Sequence, residues 1–579
     1  MLKMIKFKTI ATYVIVFIVA VAIQLPQIYS HAIILGNDSL FHMNRFFDAM
    51  MQIKEHSIGN TTMDYGFGQT GRIINAVYGP AVALVNGFIL LVLGSWYKYE
   101  VFTGILVSFL AGSGTVFATK KLEVGNKIAV FTAAVYMSSF WVNSWATSQM
   151  FTAWGAALMP FVVGSIISVI KQPTKMRSLV SLSLTGSLLI QTHMLSAIVT
   201  AIGLVLPLIA TFLITKDRVI FLKHLMIGIA LVGLLNVNVI TNTGGLFLNN
   251  DLIPPFPNLN MENAATIFST GSQTVTQLGL ILSIVIFVQI SASYLSKKST
   301  SLNRLLTTSG SLILVISSQY FPWQYMADFF PVLQSFLQFP LRLTPLAVVF
   351  ILMGLALSIK EEVWCDFQVG QIFLVVLMLF SINDAFRNVK RAAGYWNTSQ
   401  VTTTTANVKK RTTDTNQIRD AFTSRNLAAG LELVYKNTPD YLPTKGKVLA
   451  SEYASRQFYT QVGKYLNENK LKVNKSVVDG KLIVTWRSQI TGKAYLPVVV
   501  YSGATVRQDG EKLELSTIKK TDVGSAIVNQ HKGINEVTVE YGGKWQIVNI
   551  LSIISWLLTL TYMINSKFRI QSKRPFKQI

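Results

Sequence analysis

Thirteen apolar stretches separated by short polar turns organise the chain, at residues 9–29, 77–94, 99–118, 128–142, 154–170, 178–193, 196–215, 220–240, 275–294, 305–320, 343–359, 366–383 and 546–565. A helix needs about 20 apolar residues to cross a bilayer, so this density of runs predicts a polytopic membrane protein. Residues 384–545 break the pattern. A polar, Thr-rich stretch (Thr402 to Thr405, Thr412, Thr413) leads into a helix expected over 419–435. From Leu471 onward apolar and polar positions alternate around Asp479-Gly480 and Asp509-Gly510, which are hairpin signals. Strands are expected at 472–478, 481–487, 495–501 and 533–541. The predicted fold is mainly α: a transmembrane helical bundle of about 12 spans plus a juxtamembrane outer helix, with a small C-terminal extracellular α+β domain holding a β-sandwich-like sheet. The domain bounds are 1–383, 384–545, and 546–579 for a final span with its tail.

Charge orients the bundle. Lys3, Lys6 and Lys8 precede the first apolar run, and Lys567, Arg569, Lys573, Arg574 and Lys577 follow the last, so both termini are expected in the cytoplasm. Thirteen crossings would separate them. The basic turns Lys120/Lys121/Lys127, Lys171/Lys175/Arg177, Lys216/Arg218/Lys223 and Lys297/Lys298/Arg304 all fall inside only if residues 77–94 stay on the outer side. The Tyr78-Gly79-Pro80 turn suits a chain bending along that interface.

Composition narrows the function classes. Charged residues make up 13% of the 579, about half the share of a soluble domain. The net charge of +24 lies largely in short loops, where orientation explains it, so no nucleic-acid partner is expected. Cys365 is the single cysteine, which excludes an internal disulfide, and there is no CxxC, HExxH, Walker loop or Rossmann fingerprint. The 384–545 block is rich in basic residues, which points to an anionic neighbour or simply to a solvated surface.

Candidate chemistry collects on the outer side. In Gly36-Asn-Asp-Ser-Leu-Phe-His-Met-Asn-Arg45, Asp38, His42 and Arg45 are spaced i, i+4, i+7 and share one helix face. Asp38 reads either as a helix cap or as a general base. Arg45 and Arg72 read either as snorkelling cations or as anion ligands. His193 sits in an otherwise apolar hairpin, where a titratable group is costly without a partner. Gln338-Phe-Pro-Leu-Arg342 sets a proline and an arginine at a helix start, an arrangement that favours a phosphate. The turn from Asn143 to Trp154 holds Trp145, Gln149, Thr152 and Trp154; its tryptophans read as interfacial anchors or as sugar-stacking faces.

These pieces, in order, resemble one family: bacterial polytopic membrane proteins labelled 6-pyruvoyl-tetrahydropterin synthase-related, which look like GT-C-type glycosyltransferases. The resemblance is carried by Asp38-Ser-Leu-Phe-His42-Met-Asn-Arg45, Val77-Tyr78-Gly79-Pro80, Thr192-His193-Met-Leu-Ser196, Gln338-Phe-Pro-Leu-Arg342 and Asp440-Tyr441-Leu442-Pro443. The pterin label itself finds no metal-binding histidine cluster here. The resemblance implies a sugar donor on a polyprenyl phosphate, with Asp38 as the first-loop acid. Related enzymes often carry a second acid in the next outer turn. Here that turn has none, with Gln149 and Thr152 as its nearest polar substitutes, and a divalent metal site lacks carboxylates accordingly.

The expected function is therefore an inverting glycosyltransferase. It would use Asp38 as base, Arg342, Gln338, Arg45, His42 and His193 toward the donor phosphate, and Arg72, Tyr78, Gln149 and Trp145 elsewhere in the site. Its expected partners are membrane lipid, the lipid-linked donor and an anionic envelope polymer. The rivals are an envelope-assembly scaffold and a lipid-linked glycan flippase.

Overall fold

The computed structural model describes residues 2–58, 62–363, 365–541 and 544–572; the basic tail from 573 onward lies outside them. The first helix, α1 (Leu2–Ser30), leads into α2 (Ser39–Lys54), α3 (Ile74–Val77) and α4 (Pro80–Leu93). Pro80 opens α4 and Gly94, in the left-handed conformation, closes it, the asymmetry expected at helix ends. Then come α5 (Trp96–Lys121), α6 (Asn126–Met137), α7 (Phe140–Ser148), α8 (Thr152–Lys171) and α9 (Met176–Thr192). These are followed by α10 (Met194–Gly203), α11 (Val205–Ile214), α12 (Arg218–Leu235) and α13 (Val237–Asn249). After a long loop, α14 (Leu280–Leu295), α15 (Ser301–Ser317), α16 (Trp323–Phe329), α17 (Val332–Phe336), α18 (Thr344–Lys360) and α19 (Phe367–Gly394) complete the first part of the bundle.

Each of the thirteen apolar stretches is mainly helical. Among the described residues, eight rather than twelve helical segments are long and apolar enough to cross a membrane. The shortfall lies in α6, α9, α14 and α15, which have 12, 17, 16 and 17 residues. The centre of the bundle is α18, buried along nearly its whole length and packed against α15, α14 and α8. The last helix, α23 below, docks on a helix break: the Leu235 carbonyl between α12 and α13 accepts from Gln191 Nε2, Ser552 Oγ and Trp556 Nε1.

The C-terminal block begins later than its composition suggests, because α19 runs on to Gly394. The helix expected over 419–435 is broken into α20 (Thr415–Thr423) and α21 (Leu427–Leu433) by the turn at Ser424–Asn426, where Asn426 caps α21. Strands β1 (Val408–Lys410) and β2 (Val434–Lys436) pair antiparallel. A short helix, α22 (Phe458–Val462), precedes β3 (Asn474–Val478), β4 (Lys481–Ser488), β5 (Gly492–Val499), β6 (Ala504–Gln508), β7 (Glu511–Leu513), β8 (Lys519–Lys520), β9 (Ser525–Gln530) and β10 (Gly533–Tyr541). The final helix is α23 (Lys544–Ser572). The strands form two antiparallel sheets, ordered β3-β4-β10-β6-β7 and β5-β9-β8. They enclose one apolar core that includes Val484, Trp486, Leu496, Val498, Val506 and Val537. Both predicted hairpin turns form, with positive φ at Asp479, Gly480, Asp509 and Gly510, as primed turns require.

Two docking contacts fix the sheets to the bundle near α2. Val499 N donates to Thr70 O at 2.9 Å, and residues 251–253 pair with 441–444 through Ile253 N to Leu442 O and Tyr441 N to Ile253 O, both 2.8 Å.

Candidate active site

Ser39 Oγ, at the start of α2, ties down the loop before the helix by accepting from Gly36 N and donating to Ile34 O. Asp38 stands at the N-cap position but its carboxylate makes no capping bond, which counts against the cap-only reading. Asp38 N donates to Ser148 O at 3.1 Å. Gly36 permits this approach, since a Cβ there would overlap the Ser148 backbone. The carboxylate is thereby presented at a cleft where Lys436 Nζ lies 3.9 Å from Oδ1. Its side chain remains 42% exposed, yet the protein around it pushes its pKa upward, against the pull of Lys436 and Arg342.

His42 and Arg45 project from the same helix into an aromatic box. The Arg45 guanidinium lies over the rings of Tyr78 (4.7 Å), Phe151 (4.8 Å) and Phe46 (5.4 Å). His42 stacks on Phe151 at 4.9 Å. Arg45 is fully buried, so snorkelling is excluded, and it forms no ion pair among the described residues. Nε donates to Asn75 Oδ1, Nη1 to His42 Nδ1, and Nη2 has no partner. Burial lowers the Arg45 pKa to about 10, so it stays charged at neutral pH. Burial, then Arg45, His193 and Lys436, holds His42 well below the usual histidine range.

Distant motifs meet at this box. Gly79, at φ 83°, lies where a Cβ would overlap the Gln191 carbonyl; it brings Tyr78 against the end of α9 and His193. His193 caps α10 by accepting from Ser196 N, and its Nδ1 also lies 2.8 Å from Ser196 Oγ. Burial, then Arg342 and Arg45, lowers its pKa to about 3. Tyr78 packs edge-on against Tyr441 at 5.9 Å, and burial raises it to about 12. Asp440 is raised to about 6 by burial, tempered by Lys436 and Arg72. Arg342 rests over Phe339 at 4.9 Å and donates to Leu337 O. With His193, it lines a narrow, mostly apolar slot running between Val199, Leu195, Val275 and Pro345.

The remaining candidates lie around this cluster. Gln338 sits at φ 58° and donates to Phe256 O, fixing the loop before Arg342. Arg72 is buried against Phe67 and donates to Thr438 O, two residues before Asp440. Trp145 and Trp154 are both buried, so neither is an interfacial anchor; Trp145 backs the His42 ring at 6.1 Å. Gln149 turns away, donating to Glu100 Oε1.

Glu100, Lys436 and Tyr441 were not foreseen as site residues. Glu100 is a carboxyl buried near the start of α5, accepting from Gln27, Ile34 N and Gln149. An acid inside an apolar run is itself a sequence signal. Lys436 has no such signal, because only the β1–β2 register brings it to Asp38. The donor set does not suit a divalent cation: Asp38 faces two cationic side chains, and no group of three or more potential ligands gathers among the described residues.

No family model and no curated protein sequence matches the chain. Among solved structures it is similar to the arabinofuranosyltransferase AftD from Mycobacteria (13% identity, TM-score 0.40, covering 66% of this chain and 28% of that one). It is also similar to the Archaeoglobus fulgidus oligosaccharyltransferase (12% identity, TM-score 0.38, covering 66% and 55%). The chain spans about a quarter and about half of these two proteins' lengths.

Proposed function

We propose that this chain is an inverting, GT-C-type glycosyltransferase that moves a sugar from a polyprenyl phosphate to a hydroxyl of a cell-envelope glycan. In this reading the sheet-bearing end of the bundle is the outer face and both termini are cytoplasmic. One observation carries it: Arg45 is buried without a carboxylate partner among the described residues, keeps its Nη2 amino group unpaired, and sits in the same cluster as Arg342, His193 and Asp38. A buried charge without a counter-ion is costly, and a ligand phosphate is the counter-ion that lowers the cost.

The acceptor oxygen attacks the anomeric carbon and gives its proton to Asp38. The bond from that carbon to the phosphate oxygen breaks, and its electron pair leaves on the lipid phosphate. Arg45 and Arg342 take up the growing charge, and the neutral His193, with Nδ1 occupied by Ser196, offers Nε2–H. The phosphate is already a good leaving group, so no strong acid is needed.

The test compares wild type with Asp38→Asn in transfer from a purified pool of polyprenyl-phosphate sugars to envelope polymers. Transfer by wild type and its loss in the folded variant support the reading. Equal transfer by both overturns Asp38 as base, and absence of transfer by wild type overturns the enzyme.

A further inference from the structure

A groove of about 850 Å³ opens beside Lys436 and runs along α2 toward β3. Four cations line it, Arg411, Lys436, Lys472 and Lys475, against one acid, Glu432. Most of their hydrogen bonds go to neutral carbonyls. Lys475 Nζ donates to Gly68 O and Pro497 O, both at 2.8 Å. Arg411 donates to Glu432 O and Asn467 O and lies over the Tyr435 ring. Lys436 donates to Asn37 O, and the carboxylates near it are Asp38 and Asp440. A carbonyl holds a cation in place without cancelling its charge, so the groove keeps a positive field. Burial lowers Lys475 to about 7, and an anion alongside would restore its charge. The rings of Phe41, Tyr65, Phe67 and Tyr435 also line it, while the Asn44 and Asn469 amides brace its wall, each bonded to backbone. Ring surface for sugars and cations for acidic groups thus share one groove, and its Lys436 lies 3.9 Å from Asp38.

We propose that this groove is the acceptor channel and that its occupant is an extended anionic glycan, a polymer carrying carboxylate or phosphate groups, threaded so that a hydroxyl reaches Asp38. The word acceptor rests on the transferase reading; the binding does not.

The full chain in nanodiscs is titrated with polygalacturonate, poly(glycerol phosphate) and uncharged dextran, in wild type and in Asp38→Asn so that binding is read without transfer. An acidic polymer should bind at least about tenfold more tightly than dextran, with affinity falling as salt rises. Which acidic polymer binds better identifies the charged group. Lys472→Glu combined with Arg411→Gln should weaken binding about tenfold in a variant that still unfolds in one cooperative transition. Lys512→Glu, on β7 at the opposite edge of the sheet, should leave it unchanged. Equal binding of dextran, or an equal loss from Lys512→Glu, overturns the groove. Wild-type transfer with an unaltered acceptor KM in the Lys472/Arg411 variant overturns the groove while the transferase stands. Groove-dependent binding with no transfer sustains the groove and overturns the transferase.

Discussion

Arg45 Nη1 lies 3.0 Å from His42 Nδ1, and because a guanidinium can only donate, the imidazole nitrogen must accept. His42 is therefore neutral with its proton on Nε2, and Arg45 is a charge held by neutral groups alone. Replacing Arg45 by Met separates the two roles this residue could have. A structural arginine would leave a destabilised protein. An anion ligand leaves one as stable as wild type or up to about 2 kcal/mol more stable, since a buried, uncompensated charge is gone. Transfer should fall by at least about a hundredfold. Thermal unfolding and transfer rate, measured on the same preparation, decide.

The same tautomer shapes the pH profile. His42 and His193 are both depressed, His193 to about 3, so neither changes charge between about pH 5 and 8. Asp38 is raised instead. The rate of transfer should rise with pH along one acid limb, set by Asp38. Asp440, raised to about 6, feels the Asp38 charge but does not itself raise Asp38, so Asp440→Asn should leave that limb in place. A limb that moves when Asp440 is replaced assigns it to Asp440 instead.

Much of this site was legible before the structure, for a physical reason. Asp38, His42 and Arg45 share a face by helix periodicity, and His193 and Arg342 are conspicuous because polar groups at apolar helix ends need a purpose. The hairpin turns at Asp479-Gly480 and Asp509-Gly510 carry their own backbone preference. What stayed hidden depends on long-range register. Lys436 reaches Asp38 only through the pairing of β1 with β2. Where helices end also stayed hidden: α6 stops at the break at Ser138–Ser139 before α7, which apolar length alone does not mark.

Gly79→Ala tests how the two halves of the site are joined. The added Cβ would overlap the Gln191 carbonyl, and φ of 83° is strained for any residue but glycine. The expected loss is roughly 3 kcal/mol, with transfer falling because Tyr78 and His193 separate. Gly94→Ala is the control: its φ is also positive, but open space surrounds it, so it should cost about 1 kcal/mol and leave transfer intact.

Asp48 and Asp64 give the fold its own pH dependence, apart from catalysis. Asp48 accepts from Tyr65 N, Gly66 N and Gln52, while Asp64 accepts from Thr62. Burial raises each to about 7, above an unfolded value near 3.9. Between those values the folded chain holds more protons than the unfolded one, so stability falls as pH rises. Below the unfolded value their contribution is fully present; above about 7 it is gone. The unfolding temperature of wild type should therefore be higher at pH 5.5 than at pH 8. Asp64→Asn, which supplies a permanently neutral group of the same shape, should flatten that slope and raise stability at pH 8. If its slope matches wild type, the loop from Thr62 to Arg72 is not held by a protonated Asp64.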